Sequence, residues 1–430
     1  MYQPARAARL GPALESRPLN FGRPLPLPCA HGTGTAASTP GGPQIMSDLS
    51  ITLEALERSA AQLPVSSYFD EAVYRREEEL IIRPGPRYLG HALAVPEVGD
   101  HHALLQEGEG RALLRTADGI ELISNVCRHR QAVMLRGRGN AGSHVVCPLH
   151  RWTYDLHGRL VGAPHFPDDP CLHLNNYPVQ SWNGLLFEGG AGRRPIGEVL
   201  QGLALPPELD FSGYVFDRVH VHECDYNWKT FIEVYLEDYH VGPFHPGLGN
   251  FVTCEDLRWQ MGREFSVQTV GIAKHAGEAL GRPGSDVYRN WHEVLLNHRR
   301  EAHDGRPPKL GAIWLTLYPT VMVEWYPHVL VVSTLYPQGP RKTLNLVEFF
   351  YPEEIAAFER EFVEAQQAAY METCVEDDEI ALRMDAGREA LWRRGDDERG
   401  PYQSPMEDGM QHFHEWYRRD MQDPSLDPLS

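Results

Sequence analysis

The sequence predicts an α+β chain: a small all-β domain followed by a larger domain with an antiparallel sheet and long helices. Three observations carry this. Residues 83–195 hold short β-like runs separated by Gly, Asn and Pro turn residues. Four longer β-like runs fall between 313 and 351. After Pro352 the period changes to that of a helix, with Phe358, Phe362, Ala365 and Ala369 as an apolar stripe.

Taken in order, residues 1–48 are expected to be a disordered extension. Residues 1–45 are rich in Pro, Gly, Ala and Ser, with four Arg and a single acid, Glu15. Met46-Ser-Asp-Leu-Ser reads as a natural start, so an over-extended reading frame is the favoured account. An Arg-rich transit peptide and an interaction tail are the competing ones. Residues 49–82 read as helices packing on the catalytic domain. Leu53, Leu56, Ala60 and Leu63 have helical spacing, 69–79 continues as a charged helix, and Pro84 and Pro86 end it.

Residues 83–195 form the all-β domain, with strands expected over 113–114, 121–126, 143–146, 155–160 and 184–188. Residues 196–430 form the second domain, with strands over 313–318, 321–326, 329–336 and 343–351. Near the C terminus His412, Phe413, Trp416 and Tyr417 fall at helical spacing and read as packing or a subunit contact. His412 and His414 read as ordinary polar residues.

The chain has 430 residues, enough for two or three domains with a sizeable core. Its formal net charge is −19, from 59 Asp and Glu against 40 Lys and Arg, which argues against nonspecific nucleic-acid binding. No apolar run approaches the roughly 20 residues of a membrane span. Two of the seven Cys, Cys127 and Cys147, fall in a metal-like pattern. Cys29, Cys171, Cys224, Cys254 and Cys374 show no second metal spacing and read as reduced thiols of a cytoplasmic protein.

The first chemical signal is Cys127-Arg-His129, seventeen residues, then Cys147-Pro-Leu-His150. Each half supplies one thiol and one imidazole. A zinc finger usually segregates its ligands, two Cys from one turn and two His from a helix. Mixed halves suit a [2Fe–2S] cluster in which one iron takes both thiolates and the other both imidazoles. A zinc site or unrelated residues is the competing reading. Arg128, Arg130, Arg136, Arg138 and Arg151 crowd these loops, either as a solvated surface or as a docking patch for an acidic electron donor.

The second signal is Glu233-Val-Tyr-Leu-Glu237-Asp-Tyr-His240, then four residues to His245. Positions 233, 237 and 240 are spaced to share one helix face, with Pro243 and Pro246 ending the helix just after His240. Two His plus a carboxylate make the facial triad of a non-haem Fe(II) oxygenase, with positions open for O₂ and substrate. Two ordinary polar His is the bland reading. Trp228 reads as core, and Asn227 as core or as a support to the site.

The Cys-x-His…Cys-Pro-x-His pattern, followed by Trp152, Tyr154, Gly158 and Leu160, resembles the Rieske motif. Gln131 and Arg151 stand where that family commonly has Gly. Together with the second motif, about 90 residues on, the chain resembles the α subunit of Rieske non-haem iron oxygenases over roughly 50–420. The resemblance implies a Rieske domain plus a helix-grip (START-like) catalytic domain, an antiparallel sheet wrapped around a long helix. It implies Cys127, His129, Cys147 and His150 as cluster ligands, and His240 and His245 as ligands of a mononuclear Fe(II). The third ligand falls in Glu376-Asp377-Asp378-Glu379. The family places its ligating Asp at a Glu-Asp step, with an aliphatic residue three on and a Gly ten on. Asp377 fits, with Ile380 and Gly387, and Asp378 is the fallback. A run of four acids otherwise reads as a solvated face.

Glu237 would be the carboxylate that links the Rieske His150 of one subunit to His240 of its neighbour. The resemblance therefore implies a homo-oligomer, a trimer, fed by a reductase or ferredoxin with NAD(P)H as electron source and O₂ as co-substrate. Glu at 237, where ring-hydroxylating dioxygenases usually have Asp, looks like the branch that oxidises choline, glycine betaine or carnitine. That branch needs aromatic surface for a quaternary ammonium. Trp314, Tyr318, Trp325, Tyr326 and Tyr336 are candidates, about half of them facing a cavity. A hydrophobic aromatic or alicyclic substrate is equally consistent, with hydroxylation or oxidative demethylation as the reaction. The alternative class is a Rieske electron carrier, or an oxygenase-like subunit without a working mononuclear iron.

Overall fold

The computed structural model describes residues 61–273, 285–291, 293 and 310–422. The readings for 1–45, for the helical spacing over 53–60 and for Cys29 lie outside the described residues.

Helix α1 (Glu71–Glu77) starts where the Asp70 carboxylate accepts the Ala72 N–H. The all-β domain follows. Its strands are β1 (Tyr88–His91), β2 (Asp100–Ala103), β3 (Arg111–Arg115), β4 (Ile120–Ser124), β5 (Arg138–Asn140), β6 (His144–Val146), β7 (Thr153–Asp155), β8 (Leu160–Gly162), β9 (Asn176–Tyr177), β10 (Val179–Trp182) and β11 (Leu185–Glu188). They form three antiparallel sheets, in the orders β1-β11-β10, β5-β2-β3-β4-β9 and β6-β7-β8. The spacing over 155–160 predicts a strand, and the structure has a hairpin turn there instead. Asp155 Oδ1 accepts the N–H groups of His157 and Arg159, and Gly158 takes φ +77°, so the chain reverses between β7 and β8.

The two Cys-x-His loops repeat one backbone design. In each, the Cys N–H donates to the carbonyl five residues on, Cys127 to Ala132 and Cys147 to Trp152. In each, the residue four after the Cys donates back to the Cys carbonyl, Gln131 to Cys127 and Arg151 to Cys147. That closing residue is left-handed in both, with φ +54° at Gln131 and +60° at Arg151. Gln131 and Arg151, the departures from Gly noted in the sequence, both take the left-handed angle that a Gly takes at no steric cost.

The second domain holds β12 (Tyr214–Cys224), helix α2 (Trp228–Tyr235), β13 (Val252–Met261), β14 (Phe265–Ile272), β15 (Ala312–Leu317), β16 (Val321–Tyr326), β17 (Val329–Gly339) and β18 (Lys342–Pro352). Helices α3 (Arg360–Arg394) and α4 (Asp408–Met421) follow. The strands form one antiparallel seven-stranded sheet in the order β12-β18-β17-β16-β15-β14-β13. One face of β17 and β18 packs Val329, Val331, Val347 and Phe349 against Phe362, Val363 and Ala369. The other packs Leu330, Val332 and Phe350 against Tyr88, Leu185 and Phe187 of the β-domain. A sheet covered on both faces explains the unbroken apolar run at 329–332. The edge strands β12 and β13 escape a pattern search because they are half-exposed and charged, as edges are.

The expected stripe through Phe358 fails at its first member. The helix breaks at Glu359 (φ −120°, ψ 54°), which leaves Phe358 86% exposed while Phe362 is buried. Among the described residues no helix is long and apolar enough to cross a membrane.

A left-handed conformation costs a side chain with a Cβ about 1–2 kcal/mol. Neither the Arg151 nor the Gln131 side chain has a recorded hydrogen bond. Arg151→Gly and Gln131→Gly should each stabilise the folded protein by about 0.5–1 kcal/mol. Urea midpoints of the metal-loaded protein measure this. A lowered midpoint would mean that the native side chain holds the loop.

Candidate active site

Helix α2 starts at Asn227, whose side chain accepts the Lys229 N–H and donates to the carbonyls of Tyr68 and Pro340. Asn227 is thus a helix cap and takes no part in the site. Trp228 is fully buried in the core, with its indole N–H on Glu77. The helix ends at Tyr235, five residues short of the His240 that the spacing predicts. Glu237 is the cause: its Oε2 accepts the N–H groups of Tyr239 and His240 and starts a new turn. Glu233 therefore does not share a face with Glu237 and His240. It is fully buried behind the helix, bonded to Tyr68, His414 and Arg388. Burial opposes its charge, and Arg388 and His414 outweigh burial and hold the carboxyl at about 2.

His240 and His245 converge. Their Nε2 atoms lie 3.0 Å apart. Asp377 Oδ1 is 2.9 Å from the Nε2 of His245 and 3.5 Å from that of His240. Each imidazole is oriented by a carboxylate on its other nitrogen. His240 Nδ1 meets Glu237 Oε1 at 2.5 Å, and His245 Nδ1 meets Glu376 Oε2 at 2.7 Å. A Nδ1–H donated to a carboxylate leaves Nε2 as a free lone pair, the state in which imidazole binds a metal. Burial disfavours charge on His240, but the Asp377 and Glu237 carboxylates outweigh it and raise its pKa, so a positive charge is favoured at this point, whether proton or metal. Burial likewise opposes ionised Asp377, and the two imidazoles hold it at about 2. Two nitrogens and one carboxylate oxygen pointing at one place fit a divalent iron with open positions.

Asp378, the fallback ligand, points elsewhere: it accepts from His222 Nε2 at 2.8 Å and from the Tyr226 hydroxyl at 2.7 Å. Glu376, read only as part of an acidic run, orients His245. Helical period separates these neighbours, because residues 376, 377 and 378 sit about 100° apart around α3.

The residues of the first motif come together in pairs, the two Cys in one buried cluster and the two His ring to ring. Cys127 and Cys147 are buried free thiols, each 1% exposed. The His129 and His150 rings are 4.7 Å apart, and His129 stacks on Trp152. His129 Nδ1 is buried with no hydrogen-bond partner. Two buried thiols and an orphaned buried imidazole nitrogen fit a cluster that takes them as ligands. The Tyr154 hydroxyl lies 3.6 Å from Cys127 Sγ and accepts the Arg128 N–H. Of the five Arg here, Arg136 pairs with Glu109, Arg138 covers Phe216, and Arg130 and Arg151 stay exposed.

A cavity of about 100 Å³ opens on His240, His245 and Asp377. Of the five aromatic candidates, Trp314 and Tyr326 line it. Tyr318 packs in the cluster around α4, Trp325 packs on the opposite face of the sheet, and the Tyr336 hydroxyl donates to the Tyr88 carbonyl. The wall also holds Glu324, which the sequence reading passed over. Its signal was a lone acid in the apolar run 321–326.

Comparisons with known proteins place the chain in a family. A family model for the Rieske [2Fe-2S] domain matches residues 88–178, and one for the catalytic domain of the ring hydroxylating alpha subunit matches 211–423. A putrescine 2-hydroxylase of Ralstonia nicotianae is 65% identical over 376 residues, covering 87% of this chain and all of that protein. The chloroplastic choline monooxygenase of Spinacia oleracea is 25% identical over 391 residues, covering 84% of this chain and 78% of that protein. Among solved structures, a quaternary ammonium Rieske monooxygenase in complex with L-carnitine matches with a TM-score of 0.66. It is 18% identical and covers 86% of this chain and 97% of its own. The chain therefore belongs to the Rieske ring-hydroxylating oxygenase α subunits, a family of oxidoreductases that implies a [2Fe–2S] cluster and a mononuclear iron.

Proposed function

We propose that this enzyme hydroxylates a carbon of a small aliphatic diamine, putrescine being the first to test. The observation that carries this is the 65% identity over the full length of a putrescine 2-hydroxylase. The reaction inserts one atom of O₂ into a C–H bond and reduces the other to water. Two electrons come from NAD(P)H through a separate reductase or ferredoxin. Bound metals would supply the electron relay and the activation of O₂.

The chain's own groups do the rest. Cys127, His129, Cys147 and His150 would hold the cluster, and His240, His245 and Asp377 the mononuclear iron. Glu237 and Glu376 keep both Nε2 atoms aimed at one point. Glu237 would also link His240 to His150 of a neighbouring subunit in a homotrimer. What supports this is exposure at both ends of that link. Leu149, beside His150, is 56% exposed, and Tyr239, beside Glu237, is 60% exposed. Exposed apolar groups at two such places suit a contact between copies. A cytoplasmic location completes the proposal.

The first test is turnover. Anaerobically purified protein given a reductase, NADH, O₂ and putrescine should release a hydroxylated diamine, with three iron and two sulfide per chain. Two iron that stay at two after Fe(II) is added would favour an electron carrier or an inactive subunit.

Asp377→Ala should lose the mononuclear iron and all hydroxylation while the visible spectrum of the cluster stays. Retained stoichiometric iron would remove Asp377 from the ligand set. Glu237→Gln should keep both metals and slow single-turnover electron transfer about 10- to 100-fold, the scale seen when an outer-shell partner of a metal site is lost. An unchanged rate would dismiss the link.

A further inference from the structure

We propose that Glu324 is the anchor for a substrate ammonium, and that it sets which carbon of a primary diamine faces the iron site. This rests on the diamine reading above. The placement comes first. Strand alternation on β16 turns Glu324 and Tyr326 to the same side, and Trp314 lies directly opposite Glu324 on β15. All three line the cavity that opens on His240, His245 and Asp377.

The partners of Glu324 come next. Oε1 accepts the Tyr370 hydroxyl at 2.7 Å and Oε2 accepts the Tyr326 hydroxyl at 2.8 Å. Tyr326 is itself fixed by the Trp314 N–H at 2.8 Å. Every recorded donor is neutral. Among the described residues, no Lys, Arg or His forms an ion pair with this carboxylate, which is 1% exposed. A carboxylate has about four acceptor sites; these two phenols, with the neutral Tyr235 hydroxyl also beside it, leave at least one open and bring no charge. Burial, against which the phenols pull only in part, pushes its pKa up to about 7. A buried carboxylate with no countercharge is unfavourable. An arriving ammonium supplies the charge, and the rings of Trp314, Tyr326 and Tyr370 surround it with π faces.

The other carboxylates of the wall have a nitrogen base or its charge beside them. Glu237 holds His240 and two backbone N–H groups, Asp377 faces both imidazoles, and Asp238, whose own hydrogen bond is to the neutral Gln268 amide at 2.6 Å, lies within the field of His240. Distance fits as well. Tyr370 and Asp377 share a face of α3 seven residues apart, about 10 Å along the axis. A short linear chain held at Tyr370 and Glu324 lies along that interval. A primary ammonium donates N–H to Glu324, whereas a quaternary ammonium has none to donate, so the site favours primary amines.

The test compares metal-loaded wild type with Glu324→Gln and Glu324→Asp, using putrescine and the five-carbon diamine. Glu324→Gln should keep three iron and two sulfide and raise the KM for putrescine about 10- to 100-fold, the factor for losing a charge-assisted hydrogen bond. Its kcat should change far less. Glu324→Asp, which withdraws the charge by one methylene, should shift the ratio of kcat/KM values towards the longer diamine. That shift is a readout no purely structural role produces, and it decides the matter if the Gln variant does not fold. An unchanged KM in the Gln variant, or an unchanged ratio in the Asp variant, overturns the anchor. Wild type that turns over no diamine overturns the diamine reading itself, before either variant is made.

Discussion

Helix α2 can sit where it does only because two charges buried beside it are paired. Glu77 and Lys229 meet at 2.5 Å with both side chains fully buried, and the Trp228 indole and Tyr417 hydroxyl complete the carboxylate. Glu233 is completed by Tyr68, His414 and Arg388. These partners come from the N-terminal segment, α3 and α4, so the two networks together tie α2 to three parts of the domain. Removing one partner would strand a buried charge, at a cost of about 3–5 kcal/mol. Apolar contact alone would allow α2 to slide or turn, whereas paired charges fix its register. From its fixed C-terminal end the chain delivers Glu237, His240 and His245 to Asp377.

That dependence explains what could and could not be seen in the sequence. The residue types of both metal motifs were visible because donor chemistry restricts them to Cys, His and acids. That Asp377 rather than Asp378 faces the two imidazoles was visible through neighbours such as Ile380 and Gly387. The end of α2 was not, because periodicity counts apolar positions and is blind to a side chain that caps the backbone. Glu233, Glu237 and His240 have ideal helical spacing, yet a carboxylate accepting two N–H groups breaks the helix between them. Phe358 failed for a related reason: one non-helical residue, Glu359, shifts the phase of everything before it. Strands buried on both faces, at 321–326 and 329–336, were easy. The edges were missed because charged pairs interrupt their alternation, Asp217-Arg218 in β12 and Glu255-Asp256 in β13.

The ligand loops show the opposite case, a sequence departure that keeps the backbone angle. A Gly in a tight loop reports a backbone angle, and the angle is what the cluster loops need. Gln131 and Arg151 adopt it at a conformational cost, because two reciprocal backbone bonds close each loop around its Cys.

The carboxylates around the cavity differ little in kind and sharply in partner, and the partners assign the roles. Glu237 and Glu376 face imidazole Nδ1 atoms and so act through His240 and His245. Asp377 faces two imidazole Nε2 atoms, a place only a cation can complete. Asp378, one residue on, is satisfied by His222 and Tyr226. Glu324 faces only phenols, which donate hydrogen bonds without bringing charge. A phenol pair can hold such a group in one orientation but leaves its charge uncompensated in a buried site. The cavity thus has two places short of positive charge, one suited to a metal and one to an ammonium. A linear amine spanning them would have the position of its reacting carbon fixed by the distance between them.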